Sequence, residues 1–185
     1  MLNTRRTRMK GPSVARGFTL VELLSVIAIL TILSAMAAPV MADMVVRYRI
    51  DGLRSELIQS IQQARAEAMV RGSTVTLRRT TGCATPLVDT SDWSCGWIAF
   101  VDLDADGLEE AADTRLQVIN LQPGTRLKKI GPSQDTQQFN QFGQAVQLGQ
   151  RFELTPADTR YAALAGSLCF STGTRLRYKQ GTGSC

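Results

Sequence analysis

The 185 residues include no histidine. That removes the side chain most often used as a general base near neutrality and the commonest zinc ligand, which argues against Ser/His, Cys/His or zinc-centred catalysis. Acids are missing from the beginning of the chain. Nothing negatively charged precedes Glu22, whereas Arg5, Arg6, Arg8, Lys10 and Arg16 supply five of the 21 basic residues. From Phe18 onward 16 basic residues face 16 acidic ones, so the net charge of +5 belongs to the first 17 residues. The excess of base therefore marks a leader and not a polyanion-binding surface spread over the whole chain. Charge of either sign is missing from Leu23 to Ala42, twenty residues in a row. The C-x-x-C spacing of a zinc knuckle or thioredoxin-like site is missing too, and so is any internal repeat.

The twenty uncharged residues are long enough to cross a bilayer core as a helix. The basic run before them favours a cytoplasmic start, with the remainder on the far side of the membrane. Downstream of such a segment an even number of cysteines, Cys83, Cys95, Cys169 and Cys185, reads as two disulfides in an oxidising compartment. Four cysteines allow three connectivities. The short-loop choice joins Cys83 to Cys95 and Cys169 to Cys185, and the alternative is four buried thiols in a cytosolic protein.

Two processing schemes compete at the apolar segment. An ordinary secretory signal would use Phe18 to Leu33 as its apolar region and Ala35-Met36-Ala37 as its cleavage site, releasing a soluble periplasmic β-domain that begins at Ala38. Glu22 argues otherwise, because a carboxylate at bilayer depth costs roughly 2.5 kcal/mol or more and needs a reason to be there. Cleavage after Gly17 would give Phe18 a cationic α-amino group one helical turn from that carboxylate.

Gly17-Phe18-Thr19-Leu20-Val21-Glu22, with a basic leader before it and Pro39 after it, resembles the class III signal of type IV pilins and type II secretion pseudopilins. The resemblance implies a prepilin peptidase that cuts after Gly17 and methylates the Phe18 amine. It also implies that Glu22 guides assembly by meeting the Phe18 amine of a neighbouring subunit.

Beyond the apolar segment Ile50, Leu53, Leu57, Ile61, Ala64 and Ala68 recur at spacings of three and four, one apolar stripe of a continuing helix. Arg71 and Gly72 predict its end. Pro39 predicts a kink and not a stop, since the pattern resumes after it. After Gly72 the period shortens to two at Val75 and Leu77. Strand-like runs follow at Trp97 to Val101, Arg115 to Leu121, Gln137 to Phe142, Phe152 to Thr155, Leu168 to Ser171 and Thr174 to Tyr178. The expected fold is α+β: a long N-terminal helix, membrane stem plus amphipathic half, packed on an antiparallel β-sheet head of six or seven strands. The domain reading is 1–17 basic leader, 18–42 transmembrane or filament-core helix, 43–72 amphipathic half-helix and 73–185 head.

Gln63 to Ala68, Gly96 to Asp102 with the acidic turn after it, Phe139-Asn140-Gln141-Phe142-Gly143 and Leu168 to Ser171 resemble the GspH/FimT family of minor pilins. That resemblance implies the type IV pilin fold and a non-enzymatic subunit of the bacterial inner membrane, its head in the periplasm, passing into a filament with other major and minor pilins. A GspH-type pseudopilin of a type II secretion system is the alternative within the same architecture. Trp97, Phe100, Phe139 and Phe142 are expected to serve packing.

Two charge patterns remain. Asp102-Leu103-Asp104-Ala105-Asp106-Gly107, with Asp113 eleven residues after the first acid, matches the spacing of a calcium loop. Against calcium stand the short Asp113 at the last position and strand-like flanks, and acidic turns arise also because Asp and Gly favour turns, which makes a solvated hairpin the plainer reading. Between Asp89 and Asp113 eight acids occur with no base, and after Asp158 come only Arg160, Arg175, Arg177 and Lys179. In a strand Arg175, Arg177 and Lys179 point to one side, a row suited to phosphates, with Tyr178 as an aromatic surface. FimT-like pilins of competent bacteria carry a C-terminal G-R-x-R motif associated with DNA binding. Here Thr174 separates Gly173 from Arg175, so only R-x-R carries over, and the competing reading is an edge strand charged to block pairing.

Overall fold

The structure, a computed structural model, describes residues 17–84, 86–147, 149–170 and 175–185, apart from the side chains of 37–40. The leader arginines and Lys10 and the Gly173-Thr174 step lie outside the described residues, and the kink expected at Pro39 falls where the side chains are not described. The chain divides into two compact units, Met1–Met41 and Ala42–Cys185.

Helix α1 runs Leu20–Arg71. Its end follows from local chemistry: Arg71 pairs with Glu67 at 2.7 Å, and Gly72 adopts φ +63°, a left-handed cap that glycine takes without steric cost. Within the second unit the stripe Ile50, Leu53, Leu57, Ile61, Ala64 and Ala68 is buried. Strands β1 (Thr74–Arg79), β2 (Gly96–Asp102), β3 (Thr114–Asn120), β4 (Thr125–Ile130), β5 (Thr136–Phe139), β6 (Arg151–Pro156), β7 (Gly166–Phe170) and β8 (Leu176–Gln180) follow, with a 3₁₀ segment Thr159–Leu164 between β6 and β7. They form two antiparallel sheets of four, ordered β3-β2-β1-β5 and β4-β6-β7-β8. Both sheets turn their apolar faces to α1. Val75, Leu77, Ala99 and Phe139 from the first, and Leu127, Phe152, Leu154 and Leu168 from the second, join the helix stripe in one core.

The strands differ from the sequence expectation in two places. β4 is a strand that periodicity does not reveal, because its inward positions are Thr125, Leu127 and Lys129. Lys129 is 0% exposed, and its ammonium donates to the carbonyls of Pro132 at 3.4 Å, Ser133 at 2.6 Å and Thr136. A lysine at a core position hides the strand from the hydropathy pattern, and the carbonyls of the following turn make its burial tolerable. The second difference is at Phe142. β5 ends at Phe139, where the Asn140 carboxamide oxygen accepts from the N–H groups of Phe142 and Gln144, both at 3.0 Å. That turn throws Phe142 outward to 67% exposure, so it does not serve the core as expected, whereas Trp97, Phe100 and Phe139 do.

Burial pushes the Lys129 ammonium down to about 7, against the pull of Asp135. A depressed folded-state value means that this group's contribution is complete only above its ordinary value of 10.5 and is lost as pH falls through about 7. In urea unfolding of the full chain in detergent micelles, wild-type stability relative to Lys129→Met should therefore rise between these limits, by up to roughly 1.4 kcal/mol per pH unit. A pH-independent difference between the two proteins would contradict that account.

Candidate functional site

Gly17 and Phe18 precede the first turn of α1, and Phe18 is exposed. Thr19 caps the helix: its hydroxyl accepts from the Glu22 N–H at 3.2 Å, and its carbonyl accepts from Leu23 N–H at 3.1 Å. Glu22 is thereby held in the first turn, where its negative charge complements the positive end of the helix dipole. The exposed carboxylate thus has a local electrostatic reason to be there, one that the Thr19-x-x-Glu22 spacing could have signalled.

The C-terminal cations lie on and beside β8, the edge strand of the second sheet. Arg177 and Lys179 are exposed and lie opposite Cys169 and Ser167 of β7, on the face away from α1; Arg175, just before the strand, is exposed as well. Continuing the register across the sheet brings Arg151 and Glu153 of β6 and then Lys128 of β4 onto this face. Arg126 and Lys128 belong to the cationic face but were not anticipated, because β4 itself was not; their alternation in Arg126-Leu127-Lys128 was the available signal. Local acids partner the added cations: Arg126 with Asp92 at 3.8 Å, Lys128 with Asp89 at 3.4 Å and Arg151 with Glu153 at 2.9 Å. Hydrogen bonds from Ser91, and to a lesser degree Lys128, hold the Asp89 carboxyl below the usual range. Lys179 donates to the Ser184 carbonyl at 3.2 Å.

Tyr178 does not join the cations. It faces the core side of β8 opposite Leu168, with the Arg54 guanidinium 4.7 Å from its ring centroid and its hydroxyl against Gly166. Alternation explains this: the residue between two outward cations must point inward.

The structure contains two disulfides, Cys83 to Cys95 and Cys169 to Cys185. The second carries the C-terminal tail onto the outer face of β7, and Cys169, Cys185, Arg177 and Lys179 line a cavity of about 550 Å³.

The acidic stretch after β2 does not form a uniformly solvated hairpin. Asp104 and Asp106 are exposed, but Asp102 is 0% exposed beneath the loop. One carboxylate oxygen from each of Asp102, Asp104 and Asp106 lies within 4.8 Å of the others. Asp113 is not part of that cluster; its two oxygens accept from the N–H groups of Leu103 at 3.2 Å and Glu110 at 3.0 Å, closing the loop.

With this geometry in view, the family profile described as Type II transport protein GspH matches residues 54–173, more than half of the chain. The chain belongs to the GspH family. A profile for the prokaryotic N-terminal methylation motif matches residues 13–38, across Gly17, Phe18 and Glu22. The fold is similar to that of the type IV minor pilin FimU of Pseudomonas aeruginosa, with TM-score 0.55, 17% identity, and 75% of this chain and 94% of that chain covered. The minor pseudopilin EpsH from the type 2 secretion system of Vibrio cholerae matches at TM-score 0.49 and 13% identity, covering 71% of this chain and 97% of that chain. No curated protein matches the chain in sequence. The GspH-family match and the minor-pilin fold are consistent with a non-enzymatic structural subunit. By length and composition no single described helix is long and apolar enough to cross a membrane, whereas Leu20–Met36 and Met41–Arg71 pass that test together as a candidate anchor.

Non-reducing peptide mapping of exported protein should join Cys83 to Cys95 and Cys169 to Cys185. Cys185→Ser should lower stability by about 3 kcal/mol, the loop-entropy estimate for a closed loop of about this size. Free thiols at these positions would overturn the oxidising-compartment argument.

Proposed function

We propose that this GspH-family chain is a minor pilin of a type IV pilus: a non-enzymatic subunit anchored in the bacterial inner membrane, head in the periplasm, that enters the filament near its tip. The observation that carries the reading is the N-terminal motif, a basic leader, Gly17-Phe18, and Glu22 in the first turn of an apolar helix, which the methylation-motif match spans. Prepilin peptidase cleaves after Gly17 and methylates the Phe18 amine. Glu22 then meets the Phe18 amine of an adjacent major or minor pilin, an opposite-charge pair in apolar surroundings where screening is weak. The FimU likeness supports the pilin architecture through fold alone, an architecture that a GspH-type pseudopilin shares.

Mass spectrometry of the mature protein should find N-methylated Phe18 at its start, and Glu22→Val should be inserted and cleaved normally yet fail to enter filaments. An N-terminus at Ala38 would instead support the soluble periplasmic domain, and normal incorporation of the variant would refute the assigned role.

The exposure of Arg177 and Lys179 on an edge strand and of Arg175 just before it supports a second role, binding of double-stranded DNA for uptake. Such binding is weak and indifferent to sequence, since phosphates carry no base information. For three phosphate contacts the slope of log K against log salt is about −2.7. Changing Arg175 and Arg177 together to Gln in the full chain should reduce that slope by nearly two units. No binding at low salt, or binding unchanged in the double variant, would leave an edge strand charged against pairing.

A further inference from the structure

The geometry points to a calcium site in the loop between β2 and β3, built from Asp102, Asp104 and Asp106. Asp102 ends β2 on the sheet face that points away from α1, opposite Thr74 and beside Thr76. One of its oxygens, Oδ2, is fully engaged: it accepts from the Thr76 hydroxyl at 2.6 Å, the Gly107 N–H at 3.0 Å and the Gln138 carboxamide at 3.3 Å. Gln138 is itself fixed, because its Nε2 also donates to the Ala105 carbonyl at 3.1 Å while its Oε1 accepts from Gln147 at 3.2 Å. These contacts leave Asp102 no freedom to rotate its second oxygen toward solvent.

That second oxygen, Oδ1, is buried and has no hydrogen-bond partner, in a residue that is 0% exposed. A carboxylate oxygen enclosed without a donor is costly and is uncommon without an ion or water to meet it. The charges around it sharpen the need. Asp104 and Asp106 contribute two more carboxylates, each spending one oxygen on a local backbone N–H: Asp104 on Asp106 at 3.4 Å, and Asp106 on Leu108 at 2.6 Å. Among the described residues no lysine or arginine forms a salt bridge with any of the three. Arg78, which reaches the same loop, donates to the Gly107 carbonyl and pairs with Asp135 at 3.9 Å.

Three converging carboxylates with no cationic partner call for a hard cation. Oxygen ligands lie about 2.3–2.6 Å from calcium, so two of them bound to one ion are at most about 5 Å apart. The spacing within the cluster, 4.8 Å or less, meets that limit before any rearrangement. Zinc is disfavoured by the all-oxygen donor set, and magnesium by its demand for a tighter, near-octahedral shell. Waters and loop carbonyls complete the six to eight oxygens that calcium takes. Asp113, tied to Leu103 and Glu110, serves the loop's closure and is not counted as a ligand. The site is independent of the filament role proposed above.

The test uses the full chain in detergent micelles, stripped with chelator and titrated with calcium chloride, followed by calorimetry and by thermal unfolding. One ion per chain should bind, with a dissociation constant on the order of 10⁻⁴ to 10⁻³ M as in extracellular calcium modules, and the unfolding temperature should rise with calcium concentration. Magnesium should give a smaller rise. Asp102→Asn risks misfolding, since Asp102 is part of the packed network. Asp104→Asn and Asp106→Asn change exposed groups, so each should fold without calcium as wild type does and bind at least about tenfold more weakly. Absence of saturable heat and of any shift up to roughly 10 mM calcium would overturn the site. So would a shift that the double Asn variant retains in full.

Discussion

Burial of one helix stripe organises the second unit. Ile50, Leu53, Leu57, Ile61, Ala64 and Ala68 lie at spacings of three and four, so they share one face of α1, and two separate sheets are needed to cover it. Full burial of a Leu or Ile side chain is worth about 1.5–3 kcal/mol, and the apolar inward positions of both sheets are recruited to that purpose. The outward faces are left to other chemistry. On the first sheet the outward face carries the Asp102 network beneath its loop, and on the second it carries the cations of β4, β6 and β8.

Charge on these faces is arranged by local compensation. Asp89 and Asp92, which in sequence belong to a stretch of acids without a base, are partners of Lys128 and Arg126, and Glu109 holds Arg115 by two hydrogen bonds at 2.5 and 2.6 Å. Exposed pairs of this kind add little to stability, about 0–1 kcal/mol each, but they cancel field at a distance. Among the described residues Asp102, Asp104 and Asp106 form no salt bridge, and neither do Arg177 and Lys179. The tail disulfide Cys169 to Cys185 bears on that cationic face, because ordering the chain beside it lowers the entropy that any partner must remove on binding.

At the other end of the chain Glu22 combines two demands on one side chain. In an isolated helix it sits where the dipole welcomes a carboxylate, with Thr19 capping its N–H. In the proposed filament the same position faces an amine in apolar surroundings. A residue stabilised locally by its helix position can be retained without a partner until assembly supplies one.

The sequence by itself determined the features that depend on neighbours along the chain. The apolar stripe, the stop at Gly72, the methylation motif and the fold class are all written in spacings of one to four residues or in a run of uncharged side chains, and local geometry converts such spacings directly into faces and ends. Tertiary structure decided the features that depend on what comes to lie opposite. Lys129 is tolerated at an inward position only because three carbonyls of a turn surround it, so β4 and its outward cations, Arg126 and Lys128, stayed hidden. Phe142 is outside because Asn140 turns the chain, and Tyr178 is inside because Arg54 and Gly166 make room for it. Asp102 reads in sequence as one more acid of a turn, and it is a buried carboxylate because β1 and β5 deliver Thr76 and Gln138 to it from 26 and 36 residues away. Such pairing depends on which strands become neighbours, here β1 between β2 and β5, and the pattern within any one strand does not encode that order.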